Sequence, residues 1–216
     1  MTDWEITAEE QSKRILGFGF AGAVRFAELL AEHGEERGLI GPRELPRLWT
    51  RHVLNSAVVA RFLPKTGAVA DVGSGAGLPG VVLALMRADL EIHLIEPMER
   101  RIQWLDEVRD ELDLDNVTLH QVRAEELHGR IRFAAVTARA VAAMKKLVPM
   151  TMPLLGADGK LLAQKGRRAA DELADARKAL RAAGAGEPTI HEVDLLDDGE
   201  ITRIVEVPVR GKQRRV

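Results

Sequence analysis

Apolar positions along the chain follow two different rhythms. Up to Pro64 they recur at helical spacing. Ile15, Leu16, Val24, Phe26, Leu29 and Leu30 fall on one stripe of a 3.6-residue winding. Thr7 followed by Glu10 is a capping-box pattern at the start of that stripe. The stretch Glu35 to Pro46 holds Gly38, Gly41, Pro42 and Pro46 and reads as a loop. "LPRLWTRHVLNSAVVARFLP" then reads as another helix, ending near Pro64. From Ala68 the rhythm changes to short apolar runs alternating with amphipathic stretches. The runs predict strands over 68–72, 91–95, 117–122, 133–137, 160–164, 190–195 and 203–208. The amphipathic stretches predict helices around 80–88, 98–112, 141–152 and 167–183. Strands that alternate with helices form a parallel sheet covered on both faces. The last two strands have only "DDGE" between them, which predicts a closing antiparallel hairpin.

That order predicts an α/β fold with a seven-stranded, mostly parallel sheet and an N-terminal helical extension. The closing hairpin suits a methyltransferase-type doubly wound sheet better than a dehydrogenase. The expected division is a helical extension over 1–64, a nucleoside-binding domain over 65–209 and a basic tail over 210–216. Composition adds limits. The 216 residues are 46% hydrophobic and 30% charged, enough for a real core. No stretch is long and apolar enough to span a membrane, and "MTDWEITAEE" lacks the apolar centre of a signal peptide. With no cysteine there are no disulfides, thiolate metal sites or cysteine nucleophiles, which fits a cytoplasmic protein. The net charge of −2 does not announce a nucleic-acid binder. Local clusters do exist, at Lys145, Lys146, Lys165, Arg167, Arg168 and in the terminal "RGKQRRV". Each is equally an ordinary solvated surface.

The chemistry concentrates in "VADVGSGAGLPGVVLALM", a strand that ends in Asp71, then glycines at 73, 75, 77 and 80, then a helix start. The glycines let backbone approach a nucleotide closely. The next acid that ends a strand is Glu96, about twenty residues on, the separation at which a carboxylate grips ribose hydroxyls. The alternative role for Glu96 is a cap for the helix that begins at Pro97. Loop plus carboxylate gives a nucleoside site that suits either NAD or S-adenosylmethionine. Asp71 favours the second. A carboxylate can receive a methionine ammonium, whereas beside a pyrophosphate its charge is a cost. Ala124 and Glu125, after the third strand, can present backbone groups to an adenine edge.

Taken in order, "DVGSGAGLPG", "LIEPMERRIQWL", "RAEEL", "TARAVA" and "LLAQKGRR" resemble the RsmG (GidB) family from about residue 10 to beyond residue 170. The resemblance implies a class I (Rossmann-like) methyltransferase fold with an N-terminal helical extension. It implies S-adenosylmethionine as cofactor and, as target, N7 of a guanine in the 530 loop of 16S rRNA. The RNA would be presented in a 30S subunit or an assembly intermediate, with no membrane and no metal involved. The family's cofactor contacts fall on Gly73, Leu78, Ala124, Glu125 and Arg139; with Asp71, Gly75 and Glu96 they make the expected cofactor set. Two positions depart from the family pattern. Asn55 stands in "RHVLNS" where an Asp is usual, and Gln164 stands in "AQKG" where an apolar residue is usual.

Guanine N7 carries a free lone pair, so methyl transfer to it needs no general base and no catalytic acid or base is assigned. Positioning RNA needs cations. Arg123, Arg139 and Lys165 each follow a strand on the cofactor side and are the candidate RNA contacts; surface salt bridges are the bland alternative. His52, inside an amphipathic helix, reads as a structural histidine. Trp4, Trp49 and Trp104 read as packing residues. An NAD-dependent oxidoreductase, a small-molecule methyltransferase and a non-catalytic RNA-binding module remain as alternatives.

Overall fold

A computed structural model describes residues 9–196 and 199–211. Trp4, Thr7 and most of the basic tail lie outside the described residues. The chain begins with helices α1 (Glu9–Leu16) and α2 (Phe20–His33). A 3-10 stretch, Pro42–Arg47, leads into a π-helix, Leu48–Leu54. One α turn, α3 (Asn55–Ala57), and a second 3-10 stretch, Val58–Phe62, follow. The single helix expected over 45–64 is therefore broken into four segments of three different windings, and the helical spacing of its apolar residues carries no sign of this.

The alternating part then unfolds as β1 (Ala68–Val72), α4 (Gly80–Met86), β2 (Glu91–Ile95), α5 (Glu99–Glu111), β3 (Val117–His120) and β4 (Phe133–Arg139). It continues with α6 (Met144–Thr151), β5 (Leu155–Lys165), α7 (Ala169–Ala182), β6 (Thr189–Asp194) and β7 (Ile201–Pro208). The sheet order is β3-β2-β1-β4-β5-β7-β6. All neighbours pair in parallel except β7, which is antiparallel to both β5 and β6. The expected fold class is the observed one. The connections run one way from β1 to β2 and β3 and the other way through β4 and β5, so the topological switch lies at β1/β4. Ligands of such sheets bind beyond the carboxyl ends of the strands at that point.

Both faces of the sheet are buried, as a parallel sheet requires. One set of alternating residues, Val69, Ile92, Leu94, Ala135, Leu162 and Ile204, packs with α4, α5 and the N-terminal helices. The opposite set, Ala70, Val72, Val136, Ala138, Leu161, Ala163 and Val205, packs under α6 and α7. Trp49 is buried on the first side, where its indole N–H donates to Ser12 Oγ at 3.1 Å. Trp104 is buried there too and donates to the Ala76 carbonyl at 3.0 Å, tying α5 to the glycine loop. The two-residue strand period decides which side chains meet the N-terminal helices. Asp71 shares the face of Val69, Arg139 that of Ala135, Gln164 that of Leu162, and Thr202 that of Ile204. All four lie at one end of the sheet, beneath residues 51–56.

Candidate functional site

Two cavities open at the carboxyl ends of the strands and share a wall. The smaller, about 310 Å³, is lined by Val72, Gly73, Ile95, Glu96, Pro97, Met98 and Arg101 on one side. Arg123, Ala124, Glu125, Ala140, Val141 and Met150 line the other. The larger, about 920 Å³, is rimmed by Arg47, Arg51, Arg139, Lys165, Arg167 and Arg203, with Asn55, Gln164, Glu172, Glu200 and Thr202 among its polar lining. Ala140 and Val141 belong to both. Ala140 has φ +55°, a left-handed conformation that a residue with a Cβ adopts at a cost. The partition between the cavities is thus held in a strained shape.

The glycine loop floors the smaller cavity. Gly73 has φ +71°, and a Cβ there would lie 2.7 Å from Val141 Cγ2, inside the partition. At Gly80 a Cβ would lie 2.2 Å from Leu94 Cδ2 and 2.7 Å from Asp71 Oδ2, so α4 can approach the sheet only through glycine. Asp71 Oδ2 accepts the Gly80 N–H at 3.0 Å. Its Oδ1 is buried with no partner. Burial pushes the Asp71 carboxyl up to about 7, against the pull of the Gly80 N–H and Ser74. Glu96 is 2% exposed. Its Oε2 accepts the Gly75 N–H at 3.0 Å and its Oε1 accepts the Met98 N–H at 3.0 Å. Arg101 stands 3.4 Å from Oε2. The carboxylate therefore braces both the glycine loop and the entry to α5 while it lines the cavity.

Of the expected cofactor residues, Gly73, Glu96, Ala124 and Glu125 line the smaller cavity. Asp71 and Gly75 support it from behind through Gly80 and Glu96. Leu78 is 8% exposed and sits in the hydrophobic core. The three expected RNA cations do not gather at one place. Arg123 is exposed at the rim of the smaller cavity, whereas Arg139 and Lys165 line the larger. The Lys165 ammonium is engaged, 2.5 Å from the Ala142 carbonyl and 2.9 Å from Glu172. Glu172 also accepts the Met144 N–H at 3.0 Å, so this pair ties β5 and α7 to the segment that follows the partition.

Arg139 turns toward the N-terminal helices. Its guanidinium donates to the carbonyls of Arg51 at 3.2 Å and His52 at 3.3 Å, to Ser56 Oγ at 3.3 Å and to His52 Nδ1 at 2.6 Å. Burial, then the nearby Arg51 charge, lowers its pKa to about 10. His52 is packed, as expected of a structural histidine, but it bridges Arg139 to Glu44, whose Oε2 is 3.0 Å from Nε2. The two departures from the family pattern meet each other. The Gln164 amide donates to the Asn55 carbonyl at 2.8 Å and to Asn55 Oδ1, which also accepts Thr202 Oγ1 at 2.8 Å. The residue reading missed Met98, Arg101, Val141, Met150, Arg47, Arg51 and Arg203. Met98 and Arg101 lie inside "LIEPMERRIQWL", and Arg51 begins "RHVLNS", so the quoted segments held them without marking them. Among the described residues, no group of three His, Cys, Asp or Glu could hold a metal ion. No described helix is long and apolar enough to cross a membrane.

Solved structures with the same fold include the following. A SAM-dependent methyltransferase from Aquifex aeolicus superposes with a TM-score of 0.58 over 82% of this chain and 97% of its own, at 18% identity. TYW2 of M. jannaschii, solved with AdoMet, gives 0.55 over 74% and 75%, at 14% identity. Among sequences, a Beutenbergia cavernae protein named Ribosomal RNA small subunit methyltransferase G is 69% identical over 201 residues, covering 93% of this chain and 95% of its own. A Pseudarthrobacter chlorophenolicus protein of the same name is 50% identical over 98% of this chain and 99% of its own. The model of the GidB family, described as rRNA small subunit methyltransferase G, matches residues 20–196. The chain belongs to the rRNA small subunit methyltransferase G (GidB) family.

Proposed function

We propose that this protein transfers the methyl group of S-adenosylmethionine to N7 of a guanine in the 530 loop of 16S rRNA, acting in the cytoplasm on a 30S subunit or an assembly intermediate. The observation that carries this reading is the pair of cavities meeting at Ala140 and Val141, one of nucleoside size and one three times larger and rimmed by arginines. A donor and an RNA acceptor need just such adjacent sites. In this reading residues 1–64 are an extension packed on the methyltransferase domain of 65–209, and 210–216 form a basic tail.

The smaller cavity fits the cofactor on its own features. Its glycine floor admits no side chain at 73, and the Glu96 carboxylate on its wall can accept ribose hydroxyls. Glu96 would hold the ribose; Ala124 and Glu125 would hold the adenine edge against the apolar walls of Ile95 and Met150. When bound, S-adenosylmethionine supplies an electrophilic methyl on a sulfonium. The protein's own work is to fix the two partners, and such positioning is worth up to roughly 7–11 kcal/mol. Guanine N7 needs no proton removed, so no side chain is asked to act as a base. The larger cavity's arginines disfavour a small-molecule acceptor, and the antiparallel β7 disfavours an NAD enzyme. The test is to map N7-methylguanine in 16S rRNA from cells with and without this gene. Loss of the modification at one guanine of the 530 loop is expected; an unchanged map would overturn the proposal.

A further inference from the structure

We propose that Glu44 and His52 form a positioning relay that sets Arg139, and through it the partition between the two cavities. Which atoms can donate fixes the tautomer of the His52 ring. A guanidinium only donates, so His52 Nδ1, 2.6 Å from Arg139 Nη2, must present its lone pair. An ionised carboxylate only accepts, so Nε2, 3.0 Å from Glu44 Oε2, must carry the proton. Both neighbours demand the same neutral tautomer. A doubly protonated ring would set an N–H against the guanidinium. The groups facing the ring agree: burial first, then the charges of Arg139 and Arg51, outweigh Glu44 and hold its pKa at about 4.

The backbone is shaped to the same end. All four acceptors of Arg139 come from residues 51–56. Those residues span the end of the π-helix and the start of α3, and π-helical turns are a costly form that concentrates at functional sites. None of the four is a carboxylate. Arg139 is thus a half-buried cation held by dipoles, and its place depends on each acceptor being correctly turned. The next residue is the strained Ala140 of the shared wall, so a shift of Arg139 moves the boundary across which the methyl must pass. Neither Glu44 nor His52 lines either cavity; they act only through Arg139.

The inference rests on the reading of the cavities given above, and the tests separate the two. 15N NMR of the His52 ring in the intact protein should show Nδ1 unprotonated and Nε2 protonated at neutral pH. The Nδ1 signal should move in Arg139→Ala. A protonated Nδ1 would overturn the relay whatever the protein methylates. If the tautomer is as stated but the protein makes no N7-methylguanine, the functional reading fails instead. For function, S-adenosylhomocysteine titration and methyl incorporation into a partly stripped 30S particle are measured for each variant. His52→Leu should lower both by roughly tenfold, the worth of one hydrogen bond to a charged group, as Arg139→Ala does. His52→Asn, whose Oδ1 can stand in for Nδ1, should recover most of the loss. The double variant His52→Leu/Arg139→Ala should be no worse than Arg139→Ala alone. Full activity of folded His52→Leu, failure of His52→Asn to rescue, or additive losses would each overturn the relay. If His52→Leu does not fold, Glu44→Leu decides: a loss smaller than that of Arg139→Ala supports the relay, and no loss overturns it.

Discussion

Glu96 shows how one side chain can satisfy two readings at once. From the sequence it is either a ribose-gripping carboxylate or a helix cap. In the structure it accepts from Gly75 and Met98 while lining the nucleoside-sized cavity. Oε1 accepts only the Met98 N–H and keeps a second lone pair, so bracing the loop and holding Arg101 do not use the carboxylate up. Glu96→Ala should therefore do two things. Donor affinity should fall by about 1.5–3 kcal/mol, the range for hydrogen bonds to a charged group. Two backbone N–H groups would also lose their acceptor, so the melting temperature should fall by several degrees, at about 2–4 °C per kcal/mol for a chain of this size. Titration with S-adenosylhomocysteine beside a thermal melt reads both. A lowered melting temperature with unchanged affinity would leave Glu96 as a brace alone. At this scale the sequence marked four residues that line the smaller cavity, Gly73, Glu96, Ala124 and Glu125, and missed the direction of other side chains. Asp71, Gly75 and Leu78 lie in the correct loop, yet all three sit behind the cavity. Spacing along a chain does not say which face of β1 meets α4, and the face Asp71 shares with Val69 was settled only by packing.

At the scale of elements, β1 and β2 begin and end where the apolar runs predict, because both are central strands with no turn residue inside. β3 stops at His120, two residues short, where the chain turns into the 3-10 stretch Ala124–Leu127. β5 starts at Leu155, before the predicted 160, although Gly156, Asp158 and Gly159 read as a turn. A pairing of Phe133 with Leu155, a register shift and a bond from Val209 N–H to the Gly159 carbonyl at 2.9 Å carry the strand through them. The π-helix had no signature at all, and the guanidinium its carbonyls accept from belongs to Arg139, a residue far along the chain. Lys165 belongs to this scale as well. It joins β5, α7 and the segment after β4 in one tie with Glu172 and the Ala142 carbonyl. The Glu172 carboxyl is partly desolvated, which raises its pKa, but Lys165 and the Met144 N–H outweigh that and hold it below the usual value. If the tie is the lysine's main work, Glu172→Gln should lower methyl transfer as much as Lys165→Ala does, and neither should alter the salt dependence. If Lys165 instead meets a phosphate, only Lys165→Ala should reduce the salt slope, by roughly one contact. Methyl incorporation over a salt series in both variants decides between them.

Across the whole molecule, acid and salt act on different groups. Burial lowers the pKa of His52, His93 and His120; His93 and His120 also stack 2.8 Å apart at facing ring nitrogens, and the His120 charge adds to the lowering at His93. A histidine lowered in the fold binds its proton more tightly when unfolded, so its contribution is present above about pH 6.5 and is lost as pH falls. Asp71, raised to about 7, works the other way and gains stability for the fold as pH drops toward 3.8. The shifts of Asp71 and His52 are of similar size and opposite effect, so His93 and His120 tip the balance, and the urea midpoint should be lower near about pH 5 than near about pH 7.5; an equal or higher midpoint would mean that Asp71 dominates. Salt tests the larger cavity. The chain's net charge of −2 conceals six cations around that opening. Counting them overstates the RNA contacts. Arg139 is committed to helix carbonyls, Lys165 to Glu172, and Arg203 to Glu192 at 2.7 Å. Arg47 and Arg51 are only loosely paired, at 3.8 Å to Glu200 and 3.4 Å to Glu44, and Arg167 is exposed. About three phosphates should thus be neutralised here, giving a log–log salt slope of about −2 for single-stranded RNA, where six contacts would give about −4. The form of the RNA matters as much. In a paired A-form helix N7 faces a deep, narrow groove that side chains cannot enter, so the guanine must be unpaired or turned out of its stack. If the target is the loop proposed above, folded rRNA and protein in a finished subunit would restrict access to it, and naked rRNA would not hold it in shape. An assembly intermediate or partly stripped particle should be methylated fastest, naked rRNA and mature subunits more slowly, each with the shallow salt slope. Methyl incorporation into the three substrates over a salt series reads both outcomes. Equal rates on naked rRNA would remove the need for a preformed loop, and a slope near −4 would mean that RNA displaces the internal partners of Arg139, Lys165 and Arg203.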